Sequence, residues 1–87
     1  MKQIFIKLNQ EPAPDNGWTA SIATALKPKN SEISIVIGES VIHRTKEQAW
    51  GTISRRAFGL DYINNEVKFN NTLVTSYAQV LVLVNAL

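Results

Sequence analysis

Five cationic or ionisable residues offer the most chemistry in this chain: His43, Arg44, Lys46, Arg55 and Arg56. A lone histidine can serve as a general base or touch RNA, because its two protonation states interconvert at about pH 6.5. Catalysis needs a constellation, and no nucleophile, paired-acid spacing or orienting carboxylate motif accompanies His43. Its simpler reading is a strand-end histidine satisfied by solvent or hydrogen bonds. Together the five could grip phosphates, in which case binding would fall steeply with salt. Arg55 and Arg56 could equally complement the negative end of a helix.

Other residue types exclude more than they suggest. The 87 residues hold no cysteine and one histidine, which rules out disulfides, thiolate chemistry and cysteine zinc sites. Too few ligands remain for a transition metal. No glycine-rich phosphate loop or dinucleotide fingerprint occurs. Asp15 and Asp61 lie in turn-like stretches and read as turn residues. Phe5, Trp18 and Tyr62 could stack on bases as sheet-surface readers do. The apolar neighbours of Trp18 and Trp50 instead favour core packing. The expectation is therefore no catalytic residue, no metal, no cofactor, no small-molecule substrate and no enzyme activity. Net charge is +2, from nine basic and seven acidic residues, and does not by itself demand nucleic acid.

The element that must position these groups runs from Thr45 to Leu60. Thr45 and Gln48 form a capping-box pattern that satisfies two otherwise unpaired donors. Glu47 suits the positive end of the helix dipole, and Arg55 and Arg56 the negative end. Gly59 is placed to stop the helix in the left-handed conformation. Trp50, Ala57, Ile53, Leu60 and Ala49 fall within an arc of about 100°, leaving Thr52, Arg55, Gln48 and Arg56 opposite or at its edge. Gly51 inside the helix costs about 1 kcal/mol relative to alanine. One helix of this length cannot stand alone, so the rest of the chain must supply a sheet.

Alternation supplies it. Gln3–Asn9 sets Ile4, Ile6 and Leu8 against Phe5 and Lys7, and residues 11–17 form a loop. Trp18–Leu26 groups Trp18, Ala20, Ile22 and Leu26, and pairs with the first strand as a hairpin. Lys27–Asn30 reads as a turn, and Glu32–Ile37 as a strand with Ile33, Ile35 and Ile37 on one face. Gly38 suits a bulge, with Glu39–His43 continuing the strand or forming a short one of its own. Val67–Phe69 is a short strand candidate, followed by a turn at Asn70-Asn71. The tail admits two readings: a helix from Thr72 as cap, with Leu73, Tyr77, Val80 or Leu81, and Val84 in a stripe, or a buried strand at Val80–Val84. Its valines favour the strand.

The predicted fold is thus one α+β domain over residues 1–87: an antiparallel sheet of four to six strands with one main helix, about 45–58, packed on one face. The apolar runs are too short for a signal peptide or a membrane span, so a cytoplasmic protein without membrane contact is expected.

The segments Gly17-Trp18-Thr19-Ala20-Ser21-Ile22, Gly38 and Thr45-Lys46-Glu47-Gln48-Ala49 resemble the HicB-like antitoxin fold over roughly residues 2–60. Members of that family carry a "GYWVAS" strand and a "G-x-T-x-E-E-A" opening to an amphipathic helix. This chain lacks the family's "P-x-L-P-G" segment, has a longer stretch between second strand and helix, and has no appended DNA-binding motif. The resemblance implies a three-stranded antiparallel sheet with a helix across it, related to a truncated ribonuclease H, whose partner is a small toxin. The expected function is a non-enzymatic protein-interaction module, antitoxin or small inhibitor, binding a partner protein or itself as a homodimer. The alternative is nucleic-acid binding through His43, Arg44, Lys46, Arg55 and Arg56.

Overall fold

The computed structural model describes residues 2–26 and 33–87; the side chains of Leu26, Ile33 and Ser34 are not among what it describes. In chain order the elements are β1 (Gln3–Gln10), β2 (Trp18–Leu26), β3 (Ile33–Glu39), α1 (Lys46–Phe58), β4 (Glu66–Phe69), β5 (Thr72–Val74) and α2 (Tyr77–Ala86). The turn expected at Lys27–Asn30, and the inward places expected for Leu26 and Ile33, lie outside the described residues. The five strands form one sheet in the order β3-β2-β1-β4-β5.

The α+β class and the strand number agree with the sequence reading, but two features correct it. The sheet is mixed: β1 is antiparallel to β2 but parallel to β4, Ile4 facing Val67 and Ile6 facing Phe69. There is also a second helix, because residues 77–86 form α2 rather than a strand. Valine costs only a few tenths of a kcal/mol in a helix, less than burying two of them returns. Val80 and Val84, four residues apart, are both buried, and Tyr77 and Leu83 pack partly beside them. The cap is Ser76, not Thr72, which belongs to β5.

The sheet's inner face follows from period two. Ile4, Ile6 and Leu8 of β1 meet Ile22 and Ala20 of β2 and Val67 and Phe69 of β4. Onto this face α1 lays Ala49, Trp50, Ile53 and Ala57, all buried. Trp50 meets Phe69 edge-on, with ring centroids 6.2 Å apart, an arrangement worth about 0.5–1.5 kcal/mol beyond its buried area. The capping box forms as expected, Gln48 N–H donating to Thr45 Oγ1 (3.1 Å) and Thr45 N–H to Gln48 Oε1 (3.4 Å). Gly59 does end α1, but at φ −81°, not left-handed. Its N–H reaches the Arg55 carbonyl (3.2 Å) and Leu60 N–H reaches that of Ala57 (3.4 Å), so a tightened last turn satisfies the carbonyls without glycine's extra freedom. Gly51 faces open solvent, with nothing for a side chain to meet.

Two asparagines join β4 to β5. Asn70 and Asn71 both have positive φ, 45° and 71°, as a two-residue hairpin turn matching the strand twist requires. The Asn70 amide also extends the sheet: its Nδ2 donates to the Leu8 carbonyl and its Oδ1 accepts from the Leu8 N–H, both at 3.0 Å. On β3 the register with β2 slips between Ile22 and Ala23, leaving Ile37 as the extra residue beside Gly38. That is the bulge expected there, and Gly38 lies under the side chain of Arg56. Beyond β3 the chain stays tied to β2: Ser40 N–H donates to the Ala20 carbonyl and Ala20 N–H to Ser40 Oγ, both 2.8 Å. Trp18 and His43 then exchange both backbone bonds, at 2.7 and 2.8 Å. No helix among the described residues is long and apolar enough to cross a membrane.

Candidate functional site

The five residues that the sequence sets close together are drawn apart by α1. Lys46 opens the helix and Arg55 lies nine residues on, about 13–14 Å along the axis at 1.5 Å per residue. Nine residues is also half a turn out of phase, so the two project from opposite sides. Lys46 Nζ donates to the backbone oxygen of Leu87 (3.0 Å), which ties the start of α1 to the end of α2. Arg56 is exposed and runs over Gly38, where an added Cβ would stand 3.3 Å from its Cδ. Arg55 is also exposed, at the helix end whose partial negative charge it complements.

His43 and Arg44 go elsewhere. Together with Asp15, Asn16, Gly17 and Ile42 they line an open hollow of about 480 Å³. Asp15 lines the same hollow as Arg44, and its Oδ1 accepts from the Gly17 N–H (3.2 Å). Gly17 is packed so closely that an added Cβ would collide with Cγ2 of Ile42 and stand 3.1 Å from the His43 carbonyl oxygen. The bridge to Trp18 uses only the backbone of His43, and its side chain is half-exposed. Among the described residues no group of three or more histidine, cysteine or acidic residues converges as a metal site would require.

The aromatic residues sort by face. Trp18 and Tyr62 pack against the core, and the Tyr62 hydroxyl donates to the Ala57 carbonyl. Burial, with the nearby Tyr77 second, pushes the Tyr62 phenol up to about 12. Phe5 alone of the three lies on the opposite side of the sheet. No protein-family model, curated protein or solved structure matches the chain.

What the chain can do therefore rests on its own surfaces, and two are unusual. The first is the outer sheet face with the β3 edge. Both helices cover the inner face, and across the outer one a row runs Lys68, Phe5, Ala23, Val36. Val36 is 56% exposed and Ile35, on the same edge strand, 48%. Beside this row Lys7, Asn9, Glu11, Thr19, Ser21, Glu39 and Ser40 line a polar cleft of about 190 Å³.

The second surface is the outer side of α2. No Asp, Glu, Lys or Arg occurs from Phe69 to Leu87. Val82 on α2 and Leu73 on β5 are 67% and 58% exposed, and share a shallow groove of about 310 Å³ with Val74 and Leu83. Sequence reasoning makes a helix the less favoured of two readings of the tail and caps it at Thr72, although a nearer signal is present. Ser76 and Gln79 repeat the spacing of Thr45 and Gln48, and Gln79 N–H donates to Ser76 Oγ (3.3 Å). The Gln79 side chain reaches one residue further back than in a capping box, accepting from Thr75 N–H at 2.7 Å.

Proposed function

We propose that this domain is a non-enzymatic protein-interaction module that receives an extended segment of a partner protein along β3. The observation that carries the reading is the character of the two sheet edges. β5 is blunted by its length of three residues, whereas β3 runs seven residues, Ile33–Glu39, and among the described residues pairs only with β2. Short strands, prolines and lysines normally protect a free edge from pairing. Between Ile33 and Ile37 there is no charge or proline. This regular part offers an edge of about 16 Å at 3.3 Å per residue. A strand added there would gain main-chain hydrogen bonds, and Val36 and Ile35 would give it apolar contacts on the two faces.

The antiparallel β1–β2–β3 unit with α1 across it is the arrangement implied by the resemblance to HicB-like antitoxins, which makes the partner a small toxin that the domain occludes. The nucleic-acid reading has no comparable support, since its five residues are spread over both ends of α1. The test compares tagged wild type with Val36→Lys in the native host, by the small protein that co-purifies in stoichiometric amount. Loss of that protein from the variant is the expected outcome. Equal retention by both would remove β3 as the docking edge, and absence of any stoichiometric partner would remove the reading.

A further inference from the structure

We infer that the charge-free surface of α2 and β5 is covered by the same surface of a second copy of this chain, giving a two-fold dimer. A surface helix ordinarily turns a charged face to water. In α2, Val80 and Val84 meet the core, while the opposite side, with Ala78, Leu81, Val82 and Ala86, meets solvent with only Gln79 and Asn85 as exposed polar side chains. The occupant is selected by charge. All nine basic and seven acidic residues lie between Lys2 and Lys68, so no side chain from Phe69 to Leu87 can form an ion pair with a charged partner. Burying a partner's ion against this face would leave it uncompensated, which is costly. A membrane surface is also a poor match, because helices that lie on bilayers carry lysine and arginine on their polar side. An identical face meets the requirement automatically, since in a two-fold interface each patch contacts its own copy.

Area sets the extent of the contact. The outer side of α2 is about 15 Å long and about 10 Å wide, well short of the about 800 Å² per partner usual in a stable complex. The interface must therefore reach over both flanks of the helix. Leu73 stands on one flank in the groove with Val82. On the other, Phe58, 69% exposed, stacks edge-on against Tyr77 at 5.2 Å. Ala78, Val82 and Ala86 repeat every four residues, a ridge small enough for two helices to approach closely.

This surface is at the opposite edge of the sheet from β3, so the dimer and the partner reading can fail separately. Light scattering coupled to size-exclusion chromatography at about 100 µM, where a micromolar Kd leaves most chains paired, should give twice the 9.7 kDa of one chain. Val82→Lys should return it to one chain with unchanged circular dichroism, whereas Val36→Lys should leave the dimer intact. A second readout does not depend on disrupting the contact: the chain has no cysteine, so Val82→Cys should cross-link under mild oxidation far more than Val36→Cys. A monomeric wild type, a dimer indifferent to Val82→Lys, equal cross-linking of the two cysteine variants, or a monomer that instead binds neutral or anionic vesicles would each overturn the inference.

Discussion

The two helices lie on the same face of one sheet, yet they are finished differently. α1 buries one stripe and turns Glu47, Arg55 and Arg56 to water. α2 buries Val80 and Val84 but has no charge on any side. The same contrast separates the regions to which they belong. Residues 2–68 hold every charged group, whereas β5 and α2 hold none. A helix with one dry and one charged side is complete within a monomer; a helix whose outer side carries no charge and exposes Val82 has a second surface still to be covered.

The largest effect expected from this contrast is in packing. Ile53 is 1% exposed between α1 and the sheet, and Ile53→Ala should cost about 2–5 kcal/mol of unfolding free energy. Val82→Ala, on the outer side of α2, should change the stability of the monomer by less than about 0.5 kcal/mol. Urea unfolding of both at low protein concentration tests the pair. A large loss from Val82→Ala under those conditions would mean that this side of α2 is already packed within one chain.

A smaller effect should separate the caps. Thr45→Ala breaks a reciprocal box, whereas Ser76→Ala removes one bond and leaves Gln79 on Thr75. Thr45→Ala should cost about 1 kcal/mol and Ser76→Ala about half that, read from thermal midpoints. A reversed order would show α2 to depend more on its cap than on the burial of its valines.

The smallest effect lies in the connection from α1 to β4. Asp61 accepts from the side chain of Asn64 (2.9 Å) and from the backbone N–H groups of Asn64 and Ile63 (both 3.1 Å). The Asn64 amide, then its N–H, hold the Asp61 carboxyl below its usual 3.8. A lowered folded-state pKa stabilises above the unfolded pKa, and that contribution is lost as pH falls through the folded one. The advantage of wild type over Asp61→Asn in urea midpoint should therefore be present at neutral pH and shrink below about pH 4. An advantage independent of pH would assign the effect to turn geometry rather than charge.

Much of the fold was legible because its causes are local. The Thr45–Gln48 box, the Trp50–Ile53–Ala57 stripe, the alternation of β1 and β2, and the turn at Asn70-Asn71 each depend on neighbours within a few residues. The tail admitted both a strand and a helix because two local causes compete there. Its β-branched residues favour a strand, the Ser76–Gln79 spacing that caps α2 favours a helix, and only burial of Val80 and Val84 on one side decides between them. The candidate sites were less legible. His43, Arg44, Lys46, Arg55 and Arg56 are close in sequence, but a helix separates residues nine apart by more than a turn in length and half a turn in direction. The absence of charge after Lys68 could be read from the sequence, but its meaning depended on which side of α2 faced water.

By itself the sequence determined the α+β class, the start and stripe of α1, the hairpin of β1 and β2 and the lack of soft metal ligands, since these follow from period, capping and composition. Only the tertiary structure decided that β4 lies parallel to β1, that the tail is a helix, and that β3 and the outer side of α2 are left open. Strand order and burial are set by contacts between residues distant in the chain, and no local pattern encodes which face of an element another one will cover.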